Sequence, residues 1–189
     1  MSEIGATDGE IDAADDVLFT RGIGSPVYDP EDRDSLIGHV ALIDADDCDL
    51  IGLSVLAQKL DGLTAIFESS TGSYHLWDLT PRSFEQTIMD VLDLDASDAE
   101  HVKQSRRRHS WVVRAAAKVR EDGSTYKPAP TLIDVYDDGE SDVSRGHHSL
   151  LTDQYDVDPV DEDRLIGADQ IETHSYMTVT DAAKEAIRR

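Results

Sequence analysis

The sequence predicts a mixed α/β (α+β) domain, and three observations carry that expectation. A strand–helix–hairpin succession occupies 36–79, two helix signals lie between 81 and 108, and three further strand-like runs follow 109. At 189 residues the chain suits one domain with its own core, expected over 21–189. Before it, residues 1–20 form an acidic arm that is poor in large hydrophobics and lacks the apolar region of a signal peptide. No run reaches the roughly 20 apolar residues of a membrane span. A cytoplasmic protein without a membrane segment is the expectation, and the lone Cys48 excludes an intramolecular disulfide.

The stretch 17–35 holds Gly, Pro and Asp punctuation and reads as loop with one short strand at most. "LIGHVALIDADD" (36–47) is apolar and β-branched enough for a strand buried on both faces. Leu50, Leu53, Leu56 and Leu60 then recur at helical spacing, with Gly62 as a C-cap. "LTAIFESS" and "SYHLWDL" are strands joined by Thr71-Gly72, a two-residue hairpin connection. Thr80 and Pro81 signal the start of a helix burying Phe84, Ile88, Val91 and Leu92. Ser97 with Glu100 has capping-box spacing for a second helix over 97–108. "HSWVVRAAAKVRED" and, after a turn at Gly123, "TYKPAPTLIDVYDD" return to strand. Residues 137–170 are weakly patterned and predict loops, His147-His148 included; "SYMTVTD" is a last strand and "DAAKEAIRR" a last helix.

The formal charge is −23, from 40 acidic and 17 basic residues. Ordinarily such a balance opposes a nucleic-acid partner. Here Asp outnumbers Glu, Arg outnumbers Lys, and the acid is spread along the whole chain, a composition that resembles proteins adapted to molar salt. Local basic clusters are therefore more informative than the total. Lys103, Arg106, Arg107, Arg108, Arg114 and Lys118 form one. Its two readings are phosphate binding, for which Arg is well shaped, and counter-charge to the acidic surface.

Asp44 and Asp46 stand one residue apart at a strand end, so both carboxylates share a face, where a divalent cation would keep both ionised. The alternative is a pair of ordinary strand-end acids. Asp134 ends a second apolar strand and is the natural third carboxylate. Ser73 and His75 share a strand face just after Gly72 and could hold a phosphate through a hydroxyl and an imidazole; a packed core histidine is the other reading. Trp77 and Trp111 read as core.

In order, Ile43-Asp44-Ala45-Asp46, Ser73-Tyr74-His75 and Ile133-Asp134 resemble the h-D-h-D, s-x-H and h-D motifs of the archaeo-eukaryotic primase superfamily, over residues 36–136 or about half of the chain. The resemblance implies an RRM-like mixed or antiparallel sheet with a βαββ core and flanking helices. It implies that Asp44, Asp46 and Asp134 bind two Mg²⁺ or Mn²⁺ ions and that His75 contacts the phosphates of a nucleoside triphosphate; on the residues themselves, Ser73 is expected to position the triphosphate with His75, and one or more of Arg106, Arg107 and Arg108 to assist. The expected activity is template-directed nucleotidyl transfer on single-stranded or primed DNA, in plasmid or provirus replication in a halophilic archaeon, beside a separate helicase or other replication partner. A non-catalytic nucleotide- or nucleic-acid-binding protein on the same fold and a metal-dependent nuclease are the alternatives.

Overall fold

The computed structural model describes residues 17–45, 48–94, 97–120 and 122–179, and its fold is mixed α+β. Val40 to Ile43 are all buried, so the strand β3 (Leu36–Ala45) is covered on both faces, as its unbroken apolar run dictates. Helix α1 (Leu50–Ala57) follows, with the Asp49 carboxylate accepting from the Gly52 amide at 2.7 Å. It is shorter than its leucine spacing predicts, and Gly62 lies beyond it in the loop. The hairpin forms as expected from β4 (Thr64–Ser70) and β5 (Ser73–Arg82), turning at Gly72, whose φ of +74° suits a residue without Cβ. With β2 (Pro26–Tyr28) and β9 (Thr131–Tyr136) these strands make an antiparallel sheet of order β2-β3-β5-β4-β9.

The two central helices start later than predicted. β5 runs through Thr80 and Pro81, and helix α2 (Phe84–Leu94) is capped by the Ser83 hydroxyl, 3.1 Å from the Gln86 amide. Phe84, Ile88 and Val91 are buried; Leu92 is 47% exposed. Helix α3 (Ala99–Arg108) is capped by Asp98, not Ser97. It closes the part of β3 that β2 does not reach: the Asp98 amide donates to the Asp44 carbonyl at 3.1 Å, and His101 Nε2 to the Leu42 carbonyl at 2.9 Å.

A second sheet is built on β1 (Val17–Gly24), which pairs with β12 (Thr173–Val179), β6 (Val112–Arg114) and β7 (Lys118–Arg120); β8 (Thr125–Lys127) pairs with β7. β1 corrects two expectations, since the arm cannot extend to residue 20 and the stretch after it is not loop. Its partners lie some 90 to 160 positions away in sequence, so local propensity, diluted by Gly22 and Gly24, could not reveal it. The two long strands expected after 109 are each divided, β6 and β7 from one, β8 and β9 from the other. A small parallel pair, β10 (Val143–Ser144) with β11 (Leu165–Ile166), encloses helix α4 (Arg145–Tyr155), where loop was expected. The helix pattern was hidden because its buried face is made of Gly146, His147, His148 and Leu151. The predicted terminal helix and most of the acidic arm lie outside the described residues.

The two sheets join at Gly24-Ser25, between β1 and β2. Ser25 donates its amide to the Trp111 carbonyl at 3.0 Å and accepts from the Val40 amide at 3.0 Å, while its hydroxyl accepts from the Trp111 amide at 3.0 Å and meets His39 Nδ1 at 2.9 Å. His147 spans the Ser144 hydroxyl at 2.8 Å and the Gly24 carbonyl at 2.9 Å. A Cβ at Gly24 would stand 2.9 Å from His174 Nε2 and 3.2 Å from Glu172 Cβ, so a side chain there requires the His174 ring to shift. Trp111 and Trp77 are fully buried, and the Trp111 indole donates to the Thr87 hydroxyl at 2.7 Å.

Burial is the first cause that lowers the pKa of His39 and His147 to about 4 and of His75 to about 3, from 6.5. Unfolded imidazoles bind protons that these folded ones refuse, so acidification below pH 6.5 favours the unfolded state. Urea midpoints at fixed KCl should fall from pH 6.5 toward pH 4, each histidine contributing up to ~1.4 kcal/mol per pH unit. A midpoint that stays flat across this window would show that the three titrate normally.

Candidate functional site

Asp44 on β3 and His75 on β5 are direct partners in the antiparallel ladder, so their side chains share a face of the first sheet. His75 Nε2 lies 3.7 Å from Asp44 Oδ1, beyond a hydrogen bond but within ion-pair range. His75 is 4% exposed, and burial, then Arg114, His101 and Lys118, keep its imidazole neutral. Its Nδ1 is buried with no hydrogen-bond partner. Leaving such an atom unsatisfied costs about 1–3 kcal/mol, a cost that His39 Nε2 and Trp77 Nε1 in the core share. The Asp44 side chain stays about one-third exposed, so the pair opens to solvent on the carboxylate side.

Cations from the second sheet converge on this pair. Arg114, at the end of β6, donates to the carbonyls of Ala116, Pro128 and Ser69, which fix the guanidinium where it acts on His75. Lys118 and Lys127 are direct cross-strand partners in the β7–β8 hairpin. Burial, then Lys127 and Arg114, hold the Lys118 ammonium below its ordinary pKa, and Asp44 acts against them. Lys127 reaches the Ser70 hydroxyl at 3.4 Å, at the hairpin turn where Ser70 pairs with Ser73. Ser73 is half-buried on the His75 face, and its carbonyl accepts from the Ser69 hydroxyl at 3.2 Å. Like charges directly opposite one another on a sheet destabilise it. Arg114, Lys118 and Lys127 thus gather three positive charges in a chain of net charge −23.

Of the residues predicted from sequence, Asp44, Ser73 and His75 come together. Asp46 lies outside the described residues. Asp134 does not join them, which corrects the three-carboxylate arrangement. It is opposite Ile66, in the row Ile43–Leu76–Ile66–Asp134, whereas the neighbouring row is Asp44–His75–Phe67–Leu132. Adjacent rows face opposite sides of a sheet. The cause is a register shift between Ile66 and Phe67, where one extra residue of β9 reverses the side on which Asp134 emerges. Two strands also separate β9 from β3, a span of about 14 Å. The Asp134 carboxylate instead accepts from the Tyr136 hydroxyl and the Val135 amide, each at 2.9 Å. Among the described residues no group of three or more His, Cys, Asp or Glu side chains is placed to hold a metal ion.

Arg106, Arg107 and Arg108 are a second correction: they occupy the exposed last turn of α3, and the charges acting on His75 are Arg114, His101 and Lys118 instead. The basic cluster seen in sequence is thus two clusters. Lys127 was missed, although its signal was legible, since a hairpin turning at Gly123 brings Lys127 opposite Lys118. Comparison of the chain with models of known protein families, with curated proteins and with solved structures gave no match.

Proposed function

We propose that this chain binds a nucleoside triphosphate where Arg114 and Lys118 of the second sheet meet the Asp44–His75 pair of the first, as a primase-polymerase-like domain. The observation that carries this reading is the meeting of Arg114 and Lys118 with the Asp44–His75 pair, with Lys127 directly opposite Lys118, in so acidic a chain. Lys118 and Lys127 donate to the phosphates, and a ligand anion relieves their mutual repulsion. His75, being neutral, presents one N–H without adding charge. The order β3–α1–β4–β5, with β5 between its partners, supports the RRM-like core that the sequence motifs imply.

Mg²⁺ or Mn²⁺ fits this site as a companion of the nucleotide. Mg²⁺ characteristically takes one or two carboxylates together with substrate phosphates, and Asp44 is a partly exposed carboxylate beside the cations that would hold those phosphates. Asp46 would be the second carboxylate. When bound, the ion neutralises phosphate charge and polarises the reacting oxygens. With Asp134 on the other side of the sheet, nucleotide binding is better supported than two-metal synthesis on a DNA template. Nucleotidyl transfer is the second reading, favoured by the pairing of Asp44 with His75; in it DNA is the template and a separate replication protein the partner.

Calorimetric titration with ATP and Mn²⁺ in molar KCl tests the proposal. Lys118→Ala and Lys127→Ala should each weaken binding by about 1.5–3 kcal/mol, the range for a hydrogen bond to a charged group. Their melting temperatures should hold or rise, because removing either cation relieves repulsion. Unchanged affinity in both variants would remove the anion site.

Asp44→Asn should abolish the Mn²⁺-dependent part of ATP binding, and Asp134→Asn should leave it intact. Equal losses in the two variants would restore Asp134 to the site. His75→Ala should weaken ATP binding per folded molecule by roughly the same 1.5–3 kcal/mol. A destabilised variant that binds normally would return His75 to the core.

A further inference from the structure

Between α2 and α3 runs a groove of about 540 Å³, lined by none of the residues of the proposed nucleotide site. Val91 and Val102 form its buried floor, and Leu92 and Ala99 are exposed at its walls. Lys103, Arg106 and Arg107 stand along one edge. Lys103 is engaged by Glu100 at 2.9 Å, but no carboxylate lies within ion-pair distance of Arg106 or Arg107 among the described residues. Part of the reason for basic residues here is the helix itself, since cations in a last turn interact favourably with the carbonyl end. That accounts neither for an apolar floor beside them nor for a groove.

Two classes of polyanion could meet these arginines. Single-stranded nucleic acid is gripped through base stacking on aromatic rings, and none lines this groove. Aliphatic side chains need a floor of this kind instead, and an amphipathic segment laid into a groove presents them at i, i+3, i+4 and i+7. We infer that the α2–α3 groove is a docking site for an acidic peptide segment of another protein. Its aliphatic anchors rest on Val91 and Val102, and its carboxylates pair with Arg106 and Arg107. Charge complementarity supports this occupant: in a chain with 40 acidic residues, Arg106 and Arg107 stand side by side at the groove with no carboxylate within ion-pair distance among the described residues, Glu100 acting on Arg107 only from farther off, and so mark where an acidic partner can approach. Screening at molar salt confines such attraction to direct contact, so the apolar floor supplies affinity and the arginines supply choice of partner.

The probe is a fluorescent synthetic peptide of aspartate and glutamate with leucines at helical i, i+3, i+4 and i+7 spacing, titrated with the full chain in molar KCl and followed by anisotropy. Saturable binding is expected, weakened at least about tenfold when the leucines are replaced by serine. Arg106→Glu with Arg107→Glu should weaken it as much, and so should Leu92→Ser, with the melting temperatures of all variants recorded to show that they are folded. Equal binding of the serine peptide would overturn the proposal, since charge alone would then account for it. Oligothymidylate displacing the peptide with the same dependence on Arg106 and Arg107 would assign the groove to nucleic acid. Binding that appears only after residues 1–16 are deleted would assign it to the chain's own acidic segment. Lys118→Ala, at the proposed nucleotide site, should leave peptide binding unchanged, so this result stands apart from the fate of the nucleotide proposal.

Discussion

The Gly24-Ser25 junction fixes the relation of the two sheets, and the candidate site exists only through that relation. One sheet supplies Asp44 and His75, the other Arg114, Lys118 and Lys127. Ser25 uses its amide, carbonyl and hydroxyl at once, binding Trp111 on the second sheet and Val40 and His39 on the first. Because these groups are buried, an unsatisfied one would cost about 1–3 kcal/mol, so the junction has little freedom to pivot. His147 holds the Gly24 carbonyl from a third direction. His147 has both ring nitrogens occupied, whereas His39 and His75 each keep one buried ring nitrogen without a hydrogen-bond partner.

Much of the first sheet was legible in sequence because its signals are local. The continuous apolar run of β3 and the Thr71-Gly72 turn needed no knowledge of distant residues. Asp44 and His75 came out of the same local patterns, since strand alternation fixes which side chains share a face. The second sheet was not legible, because β1 is defined by partners far along the chain and carries no periodicity of its own. The site inherits this limit. Arg114 and Lys118 were visible as basic residues, but only the β7–β8 register distinguishes them from Arg106 to Arg108.

Asp134 shows the same limit at the scale of one residue. Its strand was correctly recognised, and simple alternation would bring its side chain to the face of His75. A single bulge reverses that inference, and nothing in "TLIDVY" announces it. Helix α4 is the converse case, where two histidines and a glycine serve as core-facing residues and mask an amphipathic pattern.

The pairing of Val17 with Val179 has a consequence for how the molecule is made. Residues 26–136 contain every strand of the first sheet and can collapse around β3 as soon as they leave the ribosome. β1, though synthesised earlier, has one edge that stays uncovered until 173–179 emerge, and an uncovered edge is a template for association with other chains. A dense negative surface suits that interval, because carboxylates brought into direct contact repel even where salt screens longer-range forces, and so oppose pairing through exposed strands.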